Sequence, residues 1–181
     1  MNVGSSITNI SVVSNGVTVF NRDIARGGSL VTEDIARKLG ISLEEALGYQ
    51  VSDDEAISDT ETMLQIRRIE DQVYSALADE IARAIEFYEN CTMNAKVESI
   101  YLSGGASQSF VPIRRLERRL QCYGELVNPF KNIAVDNHKF EMGILLEKAP
   151  IAAVAVGLAR RFRGDDRLAE DGLRINLYQG T

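Results

Sequence analysis

One apolar stripe constrains this chain more than any other feature. Ile66, Ile69, Val73, Leu77, Ile81, Ala84, Ile85 and Tyr88 recur at spacings of three and four within residues 61–90. At 3.6 residues per turn these positions share one face, so the segment is predicted to be one long amphipathic helix. At 1.5 Å per residue it would reach roughly 45 Å. Its apolar face belongs in a core, and a chain of 181 residues is long enough to build one without disulfides or metals.

The segments on either side read as shorter elements. Residues 2–13 form a strand interrupted early, Ser14-Asn15-Gly16 is a turn, and Val17 to Asn21 alternates as a second strand, which makes a hairpin. Arg22 to Arg26 is open to reading as a third strand. A helix opens near Thr32 and stops at Gly40, and Ser42 to Glu45 matches a capping box that starts another, running to about Leu47. Val51 to Thr60 is acidic and aperiodic, as a solvated loop would be. Beyond the long helix come a buried strand at Val97 to Leu102, a basic helix at Val111 to Gln121 with Pro112 in its first turn, a short strand at Glu125 to Val127, and a helix at Ile151 to Arg161. Strands and helices in this order predict an α/β fold with a mixed sheet.

Several function classes are disfavoured. A net charge of -6 disfavours nucleic acid, whose phosphates need an excess of Lys and Arg. No apolar run reaches the roughly 18–20 residues of a membrane span, so direct membrane insertion is not expected. Residues 1–20 lack the basic start and apolar centre of a signal peptide. Cys91 and Cys122 have no metal-type spacing, and the single histidine, His138, beside Asp136, reads as a surface residue; no metal ligands and no catalytic residues are assigned. Neither a P-loop nor a G-x-S-x-G elbow occurs.

Three glycine-bearing segments remain as candidate sites. Gly4-Ser5-Ser6 interrupts the first strand, where glycine serves either a bulge or the approach of backbone N–H groups to a phosphate. Gly27-Gly28 precedes a helix and suits either a turn or the same ligand. Ser103-Gly104-Gly105-Ala106-Ser107 follows a buried strand, the end at which open α/β sheets collect ligands. Three such segments on one α/β chain favour a phosphate ligand.

These segments resemble those of actin-like ATPases. Asn2-Val3-Gly4-Ser5-Ser6-Ile7-Thr8-Asn9 resembles their second phosphate motif, and Leu102 to Ser107 their adenosine motif. Gly27 to Ala36 and Leu39 to Ala46 resemble segments of FtsA and PilM. Asn128-Pro129-Phe130 and Ala149-Pro150 through Gly157-Leu158-Ala159 are similar to the C-terminal part of PilM, the type IV pilus assembly family. The resemblance covers residues 2–162. It implies an actin-like (ribonuclease H-like) fold with a nucleotide-binding core of residues 1–28 and 91–162, a small inserted subdomain with the long helix at 29–90, and a tail at 163–181. It implies ATP with Mg²⁺ as ligand, held by Asn2, Gly4, Ser5, Ser6, Thr8, Gly27, Gly28, Gly104, Gly105 and Ser107.

Only the second of the family's two halves is expected here, and Met1 lies almost on the phosphate strand, as in a cut piece or an unusually short product. Asn2 stands where the family usually has Asp, a carboxylate that helps hold the metal's water shell; Asn is a poorer partner for a hard cation. The implied function is a cytoplasmic scaffold, peripheral at the inner membrane through partners, with negligible ATPase activity. Its partners would be a PilN-like membrane protein and other pilus assembly proteins, with self-association as a further expectation. Arg174-Ile175-Asn176-Leu177 also resembles the opening of PilN, as chance or as a partner-like peptide. The alternatives are an FtsA-like filament protein, disfavoured by the acidic residues Asp165, Asp166, Glu170 and Asp171, and a phosphotransferase of the actin/sugar-kinase superfamily, disfavoured by Asn2.

Overall fold

The computed structural model describes residues 1–51, 59–93, 95–107, 113–135 and 140–162. The expectations for residues 52–58 of the acidic loop, for Pro112, for His138 and for the tail 163–181 lie outside the described residues.

The long helix is present as α3, Thr60–Cys91; the elements before it are β1 (Asn2–Val3), β2 (Thr8–Ser14), β3 (Val17–Ile24), α1 (Ser29–Leu39) and α2 (Leu43–Val51). After it come β4 (Ser99–Leu102), a 3-10 turn (Gly105–Ser107), α4 (Ile113–Leu120), β5 (Tyr123–Leu126), α5 (Met142–Glu147) and α6 (Ala149–Phe162). They form two compact units, Met1–Val127 and Asn128 onward.

In the first unit, β1, β2 and β3 pair antiparallel in that order, and β4 pairs with β5 in parallel. A parallel bridge between Asn2 and Ser103 joins the two sheets. The Val3 amide donates to the Ser103 carbonyl at 2.7 Å, and the Ser103 amide to the Met1 carbonyl at 2.9 Å. The resulting order is β3-β2-β1-β4-β5, a mixed sheet. The hairpin turn has Asn15 at φ 51° and Gly16 at φ 79°, both positive, as the two-residue turns that match strand twist require. Arg22 to Ile24 is not a third strand of its own; it extends β3, because its residues keep their register opposite Thr8, Asn9 and Ile10.

The helix ends are set by local chemistry. Gly40, at φ 68°, closes α1 with its N–H on the Ala36 carbonyl. The capping box is formed as read: the Ser42 amide donates to Glu45 Oε2 at 2.9 Å, and the Glu45 amide to Ser42 Oγ at 3.2 Å. Asp59 caps α3, accepting from the amides of Glu61 and Thr62 at 3.2 Å each.

The predicted stripe of α3 is the centre of the core. Ile66, Ile69, Leu77, Ile81 and Ile85 cluster with Val3 and Ile10 of the sheet, Ile100 and Leu102 of β4, Val31 and Ile35 of α1, and Leu116 and Leu120 of α4. Residues at i, i+3 and i+4 on a helix face a neighbouring layer together, and one such face here supports both the sheet and α4. α3 also buries two carboxylates. Glu70 meets Arg67 Nη1 at 2.6 Å, and Glu89 accepts from Lys96 Nζ at 3.0 Å and from the Val97 amide at 2.9 Å. Glu89 thereby ties the C-terminal end of α3 to the chain entering β4.

In the second unit, Asn128 Oδ1 accepts from the Phe130 amide at 3.0 Å, an Asx turn that makes Asn-Pro-Phe a bend. α6 starts earlier than its apolar pattern suggested, with Pro150 in its first turn, where the missing N–H is no loss. α5 was not anticipated from sequence: at six residues it is too short to show a period.

Candidate functional site

The three glycine segments, far apart in sequence, converge at the end of β1 and β4. The turn after β1 is closed by the Gly4 amide on the Ile7 carbonyl at 3.0 Å. Its outer carbonyls take the start of α1: the Gly28 amide donates to Gly4 at 2.9 Å and the Ser29 amide to Ser5 at 2.8 Å. On the other side, β4 runs alongside β1 and leads into the Gly104–Ser107 turn, where the Ser107 amide donates to the Gly104 carbonyl at 3.2 Å.

Three of the five candidate glycines are required by this convergence itself, and a fourth, Gly4, by the turn after β1. A Cβ on Gly27 would lie 2.4 Å from both the Gly4 and Ser5 carbonyl oxygens, and one on Gly104 2.4 Å from the Val3 oxygen. Gly104 also sits at φ +100°, a conformation other residues resist. A Cβ on Gly28 would meet Ala106 Cβ at 2.8 Å, and one on Gly4 the Ile7 oxygen at 2.8 Å. Gly105 differs: a Cβ there meets nothing within 4 Å among the described residues.

The hydrogen bonds fix where the remaining amides point. In a trans peptide the carbonyl and the following N–H are antiparallel. The Gly4 and Ser5 carbonyls face the start of α1, so the Ser5 and Ser6 N–H groups face the opposite way, on two residues that are exposed. By the same geometry the Ser103 carbonyl, bound by Val3, turns the Gly104 N–H away from β1, and the Gly104 carbonyl, bound by Ser107, turns the Gly105 N–H outward. Among the described residues none of these four N–H groups has a hydrogen-bond partner. Successive free amides in tight turns are a setting in which anions bind.

Side chains complete the site. Ser5 and Ser6 are exposed and offer hydroxyls beside their amides. Thr8 is fully buried, and its Oγ1 donates to the Arg26 carbonyl at 2.9 Å, holding the residue before Gly27. Ser107 is buried, with Oγ donating to the Gly104 carbonyl at 2.6 Å. Asn2 Oδ1 accepts from Ser103 Oγ at 3.4 Å and would lie 2.6 Å from a Cβ on Gly104. At the edge, the Met1 amino group donates to the Tyr101 carbonyl at 2.6 Å, and burial holds its pKa below the ordinary value.

Sequence reasoning found the three segments, Ser103 among them, but did not assign Ser29 or Ser103, whose backbone atoms lock the segments together, to the site. It also missed Glu89, although Ile81, Ile85 and Glu89 stand at spacings of four, which places that carboxylate on the buried stripe.

A five-stranded mixed sheet of this order, backed by helices and with glycine turns gathered at its strand ends, defines the actin-like α/β fold. The family profile of type IV pilus assembly protein PilM matches residues 1–163, and the chain belongs to that family. Among solved structures it is similar to a chain of a PilM-PilN type IV pilus biogenesis complex, with 30% identity and a TM-score of 0.70, over 88% of this chain and 44% of that one. It is similar in fold to the ethanolamine utilization protein EutJ from Carboxydothermus hydrogenoformans, with 18% identity and a TM-score of 0.57, over 87% of this chain and 47% of that one. The chain therefore spans less than half the length of either. No helix among the described residues is long and apolar enough to cross a membrane.

Proposed function

We propose that this chain is an actin-like nucleotide-binding scaffold of type IV pilus assembly, corresponding to a C-terminal half and having little or no ATPase activity. The observation that carries the reading is the convergence of three glycine turns with four N–H groups that have no hydrogen-bond partner among the described residues. ATP suits such a cradle. The Ser5 and Ser6 amides and hydroxyls would meet phosphate oxygens, and Gly104 and Gly105 would border the ribose and base, where a Cβ on Gly105 meets nothing among the described residues. Asn2, Gly4, Thr8, Gly27, Gly28 and Ser107 would serve the site by holding the turns in place.

Little catalysis is expected because hydrolysis needs charge placed against the phosphates and an oriented water, and the cradle segments contain no acidic side chain. Residues 1–28 and 91–162 would be the nucleotide core, 29–90 the inserted subdomain and 163–181 a tail. The protein would work in the cytoplasm, held at the inner membrane through a PilN-like partner and other pilus assembly proteins; the solved relative that is a PilM-PilN complex supports that partner. Calorimetric titration of ATP into the chain tests the reading. Saturable one-site binding is expected, with no phosphate release above the uncatalysed rate; absence of binding would remove it.

A further inference from the structure

We infer, taking the cradle as the nucleotide site proposed above, that it binds the polyphosphate without a divalent cation, and that Asn2 is a strut for the adenosine-side turn rather than part of a metal site. Residues 1–8, 26–32 and 103–107 contain no Asp, Glu, His or Cys. The one charged side chain in these segments is Arg26, whose Nε lies 3.3 Å from Glu80 Oε1. No group of three His, Cys, Asp or Glu residues that could hold a metal occurs among the described residues. Magnesium is held by one or two carboxylates together with substrate phosphates and water, so this donor set does not fit it.

Asn2 Oδ1 faces the Ser103–Gly104 turn, 3.4 Å from the Ser103 hydroxyl, whose nearer acceptor is the Met1 carbonyl oxygen at 3.1 Å. What the cradle does present is N–H and O–H groups, which bind bare phosphate oxygens. A magnesium ion on the nucleotide would occupy some of those oxygens and reduce the charge that the amide dipoles attract. Free ATP should therefore bind at least as well as its magnesium complex.

The experiment is calorimetric titration of ATP into the full chain, once with excess magnesium and once with excess EDTA. Equal or tighter binding in EDTA is expected. Manganese added to the protein–ATP mixture should give the same electron paramagnetic resonance spectrum as manganese with ATP alone. Asn2→Asp, which sets a charge against the Ser103–Gly104 turn, should change affinity alike in magnesium and in EDTA; a loss in EDTA that magnesium restores would place position 2 at a metal site and overturn the inference. Binding that vanishes in EDTA for the unmodified chain would overturn the inference and leave the nucleotide reading standing. No binding under either condition would overturn both. The unmodified chain by itself decides whether the metal is needed, so a poorly folded variant does not obscure that result.

Discussion

The amide of Gly28 donates to the carbonyl of Gly4 at 2.9 Å, joining the first turn of α1 to the turn that interrupts the opening strand. With the neighbouring bond from Ser29 to Ser5, it orients two peptide planes and so sends the Ser5 and Ser6 amides outward. The free end of one helix is satisfied by the turn that exposes a new pair of donors. The candidate site is a product of backbone pairing more than of side-chain chemistry.

Glycine substitutions should separate the close-packed glycines of the site from Gly105. Gly104→Ala meets the Val3 oxygen at 2.4 Å and a φ of +100°, and should lower stability by about 1–3 kcal/mol. Gly27→Ala, pressed against two carbonyl oxygens, should lose a similar amount, about 1–3 kcal/mol. Gly105→Ala should stay within about 0.5 kcal/mol of the parent. Urea denaturation of the three variants checks the order; equal losses at all three positions would contradict it.

Gly105→Val should leave the urea midpoint near that of the parent while weakening ATP binding by roughly tenfold, about 1.4 kcal/mol, because branched methyls fill the space where a ligand would approach. Unchanged affinity would place the base elsewhere.

Glu89→Leu should destabilise the first unit by about 1–3 kcal/mol, since the Val97 amide loses its acceptor near the start of β4. Glu89→Gln keeps an acceptor and should cost less than the Leu variant. Lys96 is largely exposed, so the ion pair itself contributes little. Thermal melts of the two variants decide whether the carboxylate acts as a hydrogen-bond clasp; equal losses would mean that its charge carries the effect.

Acid should loosen the helix starts. The Ser42 amide and hydroxyl hold Glu45 below its ordinary 4.5, and the Thr62 hydroxyl and amide, with the Glu61 amide, hold Asp59 below its ordinary 3.8. A carboxylate whose folded pKa is depressed adds stability that is fully present above its unfolded pKa and lost as pH falls through the folded one. The melting temperature should therefore hold steady above the ordinary carboxylate range and fall below it. Asp59→Asn, which retains a capping oxygen, should make that acid decline shallower. An unchanged slope would remove Asp59 from the account.

α6 presents Ile151, Val154 and Leu158 on one face, 47%, 58% and 51% exposed. Replacing Val154 and Leu158 with Glu should reduce any concentration-dependent self-association seen by light scattering, without lowering the urea midpoint of the first unit. Identical association by parent and variant would place the contact on another surface.

The chain's periodicities determined much of the fold. The stripe from Ile66 to Tyr88 fixed α3 and its buried face, Asn15-Gly16 fixed the hairpin, and Ser42 with Glu45 fixed the start of α2, because each depends on residues a few positions apart. The glycine segments were visible as candidates, but their alternative uses as turns, bulges or ligand sites were not separable along the chain. Tertiary structure decided that question. Only when β1 lies beside β4, and α1 abuts the first turn, do Gly27, Gly28 and Gly104 become close-packing residues, with Gly105 the one of the set that meets nothing among the described residues. The direction of the Ser5, Ser6 and Gly104 amides likewise follows from hydrogen bonds between segments. Local sequence sets local geometry through short-range sterics and hydrogen bonds, whereas the direction of an exposed N–H depends on which distant carbonyl has taken its neighbour.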